Sequence, residues 1–326
     1  MKKYRLAIIM LFTIVLSIGV YFYINHDPGI KELNYTYDLT ILESIEKNDF
    51  NVIREVVYNY NDEYDIKLTY SEQGVVDILY NLPSDKKIKV IIRSGRTKLS
   101  YDISASNQYV YFPLQLGSGK YAIEVYENTT GTKYKKIFGE KDFLEIVDNR
   151  IVFLNTIQII DFNGSSEVVK LTNDLIITKK IEIAKKEYGQ DITNEMIESI
   201  DLEDREIALL LYDYIIQNIV YDHDKIGQLS YDYIPDILDT LETKKGICYD
   251  YSSLYAAMLR SQNIPTKLIK GYSKISSVYH AWNEVYIEDE NAWIVVDTTY
   301  DAYLLDRGGD FSFEKSSTDY IKDIEY

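Results

Sequence analysis

The hydrophobic period of this chain changes once, near Asn163-Gly164, and no other feature constrains the fold as tightly. Before that point, from about Tyr64 to Phe162, apolar residues recur at every second position. Ile88, Val90 and Ile92 alternate with Lys87, Lys89, Ile91 and Arg93, and Leu99, Tyr101 and Ile103 with Lys98, Ser100 and Asp102. Tyr121, Ile123 and Val125 alternate with Lys120, Glu124 and Tyr126. Such alternation sets one face of a strand on a core and the other in water. Ser94-Gly95, Gly117-Ser118-Gly119 and Thr130-Gly131 supply turns between the runs. Short strands at this spacing predict an antiparallel β-sandwich. Beyond Asn163-Gly164 the period becomes 3.6. Ile207, Leu210, Leu211, Tyr214 and Ile215 form one helix face between Asp204 and Val220. A second helix opens at Cys248, carries Tyr251, Leu254, Tyr255, Met258 and Leu259 on one face, and stops before Asn263-Ile264-Pro265, where proline forbids continuation. Strand-like runs follow at Thr266–Gly271, His280–Ile287 and Trp293–Thr298. Helices followed by strands predict an α+β domain. Thr40 to Tyr58 reads as a further helix.

The chain opens with Lys2, Lys3 and Arg5, and then runs uncharged from Leu6 to Asn25, 20 residues rich in Leu, Ile, Val, Phe and Tyr. About 20 apolar residues span a bilayer as a helix. The basic flank predicts a cytoplasmic amino terminus, with everything from His26 onward outside the cell membrane. A secretory signal cleaved near Ser17-Ile18-Gly19 is the competing reading, although the apolar run continues past the usual length of such a segment. The predicted organisation is a membrane segment over 1–26, a β-rich extracellular region over 27–162 and an α+β domain over 163–326.

Charge narrows the function. The formal charge is −17, and it becomes −20 once Lys2, Lys3 and Arg5, which precede the first acidic residue Asp27, are set aside. Affinity for nucleic acid rests on clustered Lys and Arg, so DNA and RNA are excluded as partners. A hydrophobic content of 46% excludes a disordered chain. Cys248 is the only cysteine, which excludes an intrachain disulfide, a CxxC redox pair and a multi-cysteine zinc site. With three histidines (His26, His223, His280) and no EF-hand loop, no metal and no cofactor is expected.

What remains is thiol chemistry. Cys248 follows Gly246-Ile247 and opens a predicted helix, whose first turn offers unpaired N–H groups and a partial positive charge. That setting favours the thiolate, the reactive form, and can donate to an oxyanion. His280 lies downstream at the start of a predicted strand, where an imidazole can exchange a proton with a thiol. Asp297 lies in Val295-Val296-Asp297-Thr298, on the next predicted strand, where a carboxylate can hold the second ring nitrogen. Taken singly, each has a plainer role: a buried small thiol, a hydrogen-bonded strand residue, a cap. Tyr231 or Tyr233 would serve as a side-chain oxyanion donor.

The ordered set Gly246-Ile247-Cys248-Tyr249-Asp250-Tyr251, Leu259-Arg260-Ser261-Gln262-Asn263-Ile264-Pro265-Thr266, Gly271-Tyr272, His280-Ala281-Trp282-Asn283-Glu284-Val285 and Trp293-Ile294-Val295-Val296-Asp297-Thr298-Thr299 resembles the transglutaminase-like superfamily of papain-related thiol enzymes. The resemblance covers Lys245 to Thr299 and extends with the preceding helices over 165–305. It implies a nucleophile at Cys248, a histidine partner at His280 and an orienting carboxylate at Asp297. It also implies a thioester route on protein or peptide amides at the cell surface or wall, ending in hydrolysis or amine transfer. The whole resembles membrane-anchored bacterial proteins that place a β-rich region before such a domain. A non-catalytic surface protein that keeps the fold is the alternative.

Overall fold

The computed structural model describes residues 52–60, 64–71, 74–80, 86–103, 106–146, 148–162, 166–230, 233–274 and 278–326. The predicted membrane segment, with its basic flank, lies outside the described residues. Among the described residues no helix is long and apolar enough to cross a membrane.

The period-two region forms two antiparallel four-stranded sheets. One has the order β1(Val52–Tyr60), β2(Tyr64–Ser71), β3(Val75–Tyr80), β6(Ser106–Pro113). The other has the order β5(Thr97–Ile103), β4(Ile88–Ser94), β7(Gly119–Thr130), β8(Lys133–Leu144). The register is the one the alternation demands. Val90 faces Tyr101 on one side and Val125 on the other, and Ile92 faces Leu99 and Ile123. All six are buried, and burying one such side chain contributes about 1.5–3 kcal/mol. Ile91, predicted on the solvent face, is buried too. β1 corrects the helix expected up to Tyr58. Val52, Ile53, Val56, Val57 and Tyr58 are β-branched or aromatic, and pairing with β2 decides in favour of the strand. Residues 40–51 of that expected helix lie outside the described residues. The strands end at Leu144, short of the predicted Phe162.

The second half is built on helices α1(Ser166–Tyr188), α2(Asp204–Asn218), α3(Ile237–Thr243), α4(Cys248–Arg260) and α5(Thr298–Asp306). Its antiparallel sheet has the order β13(Ala292–Val296), β12(His280–Ile287), β11(Thr266–Ser273), β14(Tyr320–Glu325). A short parallel pair, β9(Val220–Tyr221) and β10(Lys245–Gly246), leads into α4. From Asp250 to Arg260 every residue of α4 is buried, so this helix is the centre of the domain. Its far end is held by Arg260, whose guanidinium donates to the carbonyls of Thr266, Asn155 and Tyr326. Asn263 takes φ 60°, a left-handed turn that ends the helix just before Pro265. The apolar cores of the two halves are continuous, and Tyr101 of β5 packs edge-on against Tyr326 with ring centres 5.5 Å apart.

Candidate active site

The approach to Cys248 is set by Gly246 and Asp250. A Cβ on Gly246 would lie 2.7 Å from Asp250 Cβ and 3.3 Å from Thr240 Cγ2, so the chain passes there only without a side chain. The Asp250 carboxylate is fully buried. Its Oδ2 accepts from the Ile247 N–H at 2.8 Å and from Lys225 Nζ at 2.8 Å, and its Oδ1 accepts from the Tyr233 hydroxyl. A carboxylate in the first turn satisfies an orphan N–H and suits the helix dipole. Cys248 is thereby held at the first helical position, half-buried, with a backbone N–H that has no acceptor within the helix.

His280 opens β12 as expected and is buried. It pairs across the sheet with Gly271, where a Cβ would collide with the Ile321 carbonyl oxygen of β14. Its Nε2 lies 2.8 Å from Asp297 Oδ2. Cys248 interacts with the same imidazole and favours its protonated form. Trp282 stacks beside the ring at 6.4 Å and 27°. Burial alone would lower the His280 pKa. Asp297 overrides it by charge and hydrogen bond, Cys248 adds to the effect, and the value rises to about 10. The imidazolium is therefore the resting form near neutral pH.

Asp297 is not on a strand. β13 stops at Val296, and Asp297 is the N-cap of α5, its Oδ1 accepting from the Tyr300 N–H at 3.0 Å. The same carboxylate, buried, accepts through Oδ2 from the Tyr320 hydroxyl at 2.9 Å. It is not opposite His280: the β12–β13 register pairs Asn283 with Val296, and His280 and Asp297 meet beyond the ladder. The structure thus brings Cys248, His280 and Asp297 together. Tyr233, a proposed oxyanion donor, is engaged with Asp250 instead, because its hydroxyl is the donor nearest that buried carboxylate. Tyr231 lies outside the described residues.

Sequence reasoning missed Tyr320, Asp250 with Lys225, and Tyr221. Among 32 tyrosines nothing in the sequence singles out Tyr320 or Tyr221. Tyr221 pairs with Gly246 across β9 and β10, two residues before Cys248. Burial first, then the charges of Cys248 and Asp250, raise its hydroxyl to about 12.

Residues 190–298 match the family model of the transglutaminase-like superfamily. The UPF0252 protein MJ1282 of Methanocaldococcus jannaschii is 25% identical over 312 residues, covering 90% of this chain and 82% of that one. The uncharacterized protein YebA of Bacillus subtilis is 34% identical over 155 residues, 37% of this chain, and the chain spans only 21% of that relative. Among solved structures, a candidate cysteine protease from Cytophaga hutchinsonii aligns at 16% identity with a TM-score of 0.36, covering 84% of each chain. Red sea bream transglutaminase aligns at 11% identity with a TM-score of 0.29, covering 69% of this chain and 48% of that one. That family match spans the stretch that carries Cys248, His280 and Asp297.

Proposed function

We propose that this protein is a thiol acyl-transfer enzyme acting on protein or peptide amides. The observation that carries the reading is an imidazole hydrogen-bonded through Nε2 to a buried carboxylate and interacting with a thiol at a helix start. Cys248 Sγ attacks the amide carbonyl carbon and a C–S bond forms. The departing nitrogen takes its proton from His280 as the C–N bond breaks, leaving a thioester. Water or an amine then attacks the thioester, His280 accepts its proton, and the C–S bond breaks to return the thiolate beside the imidazolium and release an acid or a new amide. Asp297 keeps the ring oriented and stabilises the imidazolium. The backbone N–H of Cys248 faces the developing oxyanion, with Tyr221 as our candidate for a second donor. We further read the two antiparallel sheets as a sandwich. From the basic flank and the apolar run at the amino terminus, we read residues 27–326 as lying outside the cell membrane.

The full chain, treated with iodoacetamide at about pH 6, should alkylate at Cys248 much faster than free cysteine does. It should also release ammonia from glutaminyl peptides or incorporate a fluorescent amine into them. If Cys248 reacts only after unfolding, the reading is wrong and a binding role takes its place.

A further inference from the structure

An open cleft of about 70 Å³ lies where the two halves of the molecule meet. Tyr101 and Asp102 of β5, Phe112 of β6, Tyr249, Lys270 and Tyr326 are among its lining residues. Tyr249 is the residue after Cys248, so the cleft reaches the turn of helix that holds the thiol. The Lys270 ammonium sits 4.1 Å from the centre of the Tyr249 ring. On β11, Lys270 pairs with Ala281, and the next residue, Gly271, pairs with His280. This cation and Cys248 act on each other electrostatically, while His280 lies on the opposite face of the strand pair.

That cation is half-buried and has no ion-pair partner among the described residues. Burial lowers its pKa, against the opposing pull of Cys248, Asp102 and Asp323. Both of those carboxylates are engaged elsewhere. Asp102 pairs with Lys89 at 2.6 Å, and Asp323 accepts from the Tyr279 hydroxyl at 2.9 Å. The face of Tyr249 offsets part of the desolvation of an ammonium, but a half-buried charge is fully compensated only when an anion reaches it. In a chain of net charge −17 most of the surface repels anions, so a lysine without an ion pair, in a cleft whose one carboxylate, Asp102, is already paired with Lys89, is a selective place for one.

We propose that Lys270 is a specificity-determining residue of the acyl-donor cleft, which takes an acidic peptide whose carboxylate lies beside the amide under attack. The proposal rests on Cys248 being the nucleophile. It also gives the β-rich half a part in the site, since β5 and β6 contribute to the lining of the cleft.

Two alkylating probes of equal length test it on the full chain: bromoacetyl-glycine, which is anionic, and bromoacetyl-glycinamide, which is neutral. In each, Sγ displaces bromide to form a thioether. The ratio of the two rates at Cys248 is the readout. In the unaltered protein the anionic probe should be favoured, and Lys270→Met should lower the ratio about tenfold, the size of one hydrogen bond to a charged group. Lys270→Arg should keep it. If Lys270→Met does not fold, Lys270→Gln removes the same charge with a polar side chain in its place. An unchanged ratio in a folded, charge-less variant, with both probes still fast, overturns the Lys270 proposal and leaves the nucleophile standing. If neither probe outpaces its reaction with free cysteine, the nucleophile reading falls and takes this proposal with it.

Discussion

Asp297 accepts from His280, Tyr320 and the Tyr300 N–H, so its carboxylate is held in place by three donors and its removal affects more than the imidazole. His280→Ala should lower the rate of Cys248 alkylation at about pH 6 by about 10²-fold or more, because the thiol loses its proton partner. Asp297→Asn should cause a smaller loss, since an amide can still orient the ring while losing the charge. The pH dependence separates orientation from charge. A His280 pKa raised from its ordinary value to about 10 contributes stability that is fully present below about pH 6.5 and lost as pH rises through 10. The melting temperature of Asp297→Asn should therefore fall furthest below that of the unaltered protein near neutral pH, and the gap should narrow as pH approaches 10. A gap that does not change with pH would mean that the pair adds no charge stabilisation.

At the scale of elements, the site depends on two close approaches of backbone and side chain. Gly271 lets β14 lie against β11, and β14 delivers Tyr320 to Asp297. Gly271→Ala should destabilise the protein by about 1–3 kcal/mol through overpacking in urea unfolding, and should slow Cys248 alkylation as well. Tyr320→Phe, which removes only the hydroxyl, should cost about 1 kcal/mol. At the start of α4, Asp250→Ala would leave Lys225 and the Ile247 N–H without their acceptor, with an expected loss of about 3–5 kcal/mol in the same measurement. Asp250→Asn keeps an acceptor for the N–H and should lose less.

Across the whole molecule the two halves share one core, and Arg260 joins α4, the Asn155 segment and the Tyr326 carbonyl. Its burial lowers its own pKa to about 9, a cost that three carbonyl acceptors offset. Arg260→Met should leave those carbonyls without a donor and destabilise by about 3 kcal/mol or more. The described residues should unfold in one calorimetric transition. Two separated transitions would show that the shared core does not couple the halves. Protease added to intact protoplasts should digest residues 27–326, and full protection of that region would refute the topology read from the amino terminus.

Much of this architecture was legible in the residues. Alternation at Ile88–Ile92 and Tyr121–Val125 determined those strands, because a half-buried strand needs period two whatever its neighbours are. The 3.6-residue repeats and Pro265 determined α2 and α4, because a helix face and its breaker are local. The order of Cys248, His280 and Asp297 was also readable. Distant partners left no such trace. Val52–Tyr60 became a strand because β2 pairs with it, and Asp297 became a cap because β13 runs out one residue earlier. Tyr320 and Lys225 reach the site across 23 and 25 residues of chain, and the Arg260–Asn155 bond spans 105. Hydrogen bonds of that separation depend on where whole elements pack, and only the tertiary structure decides that.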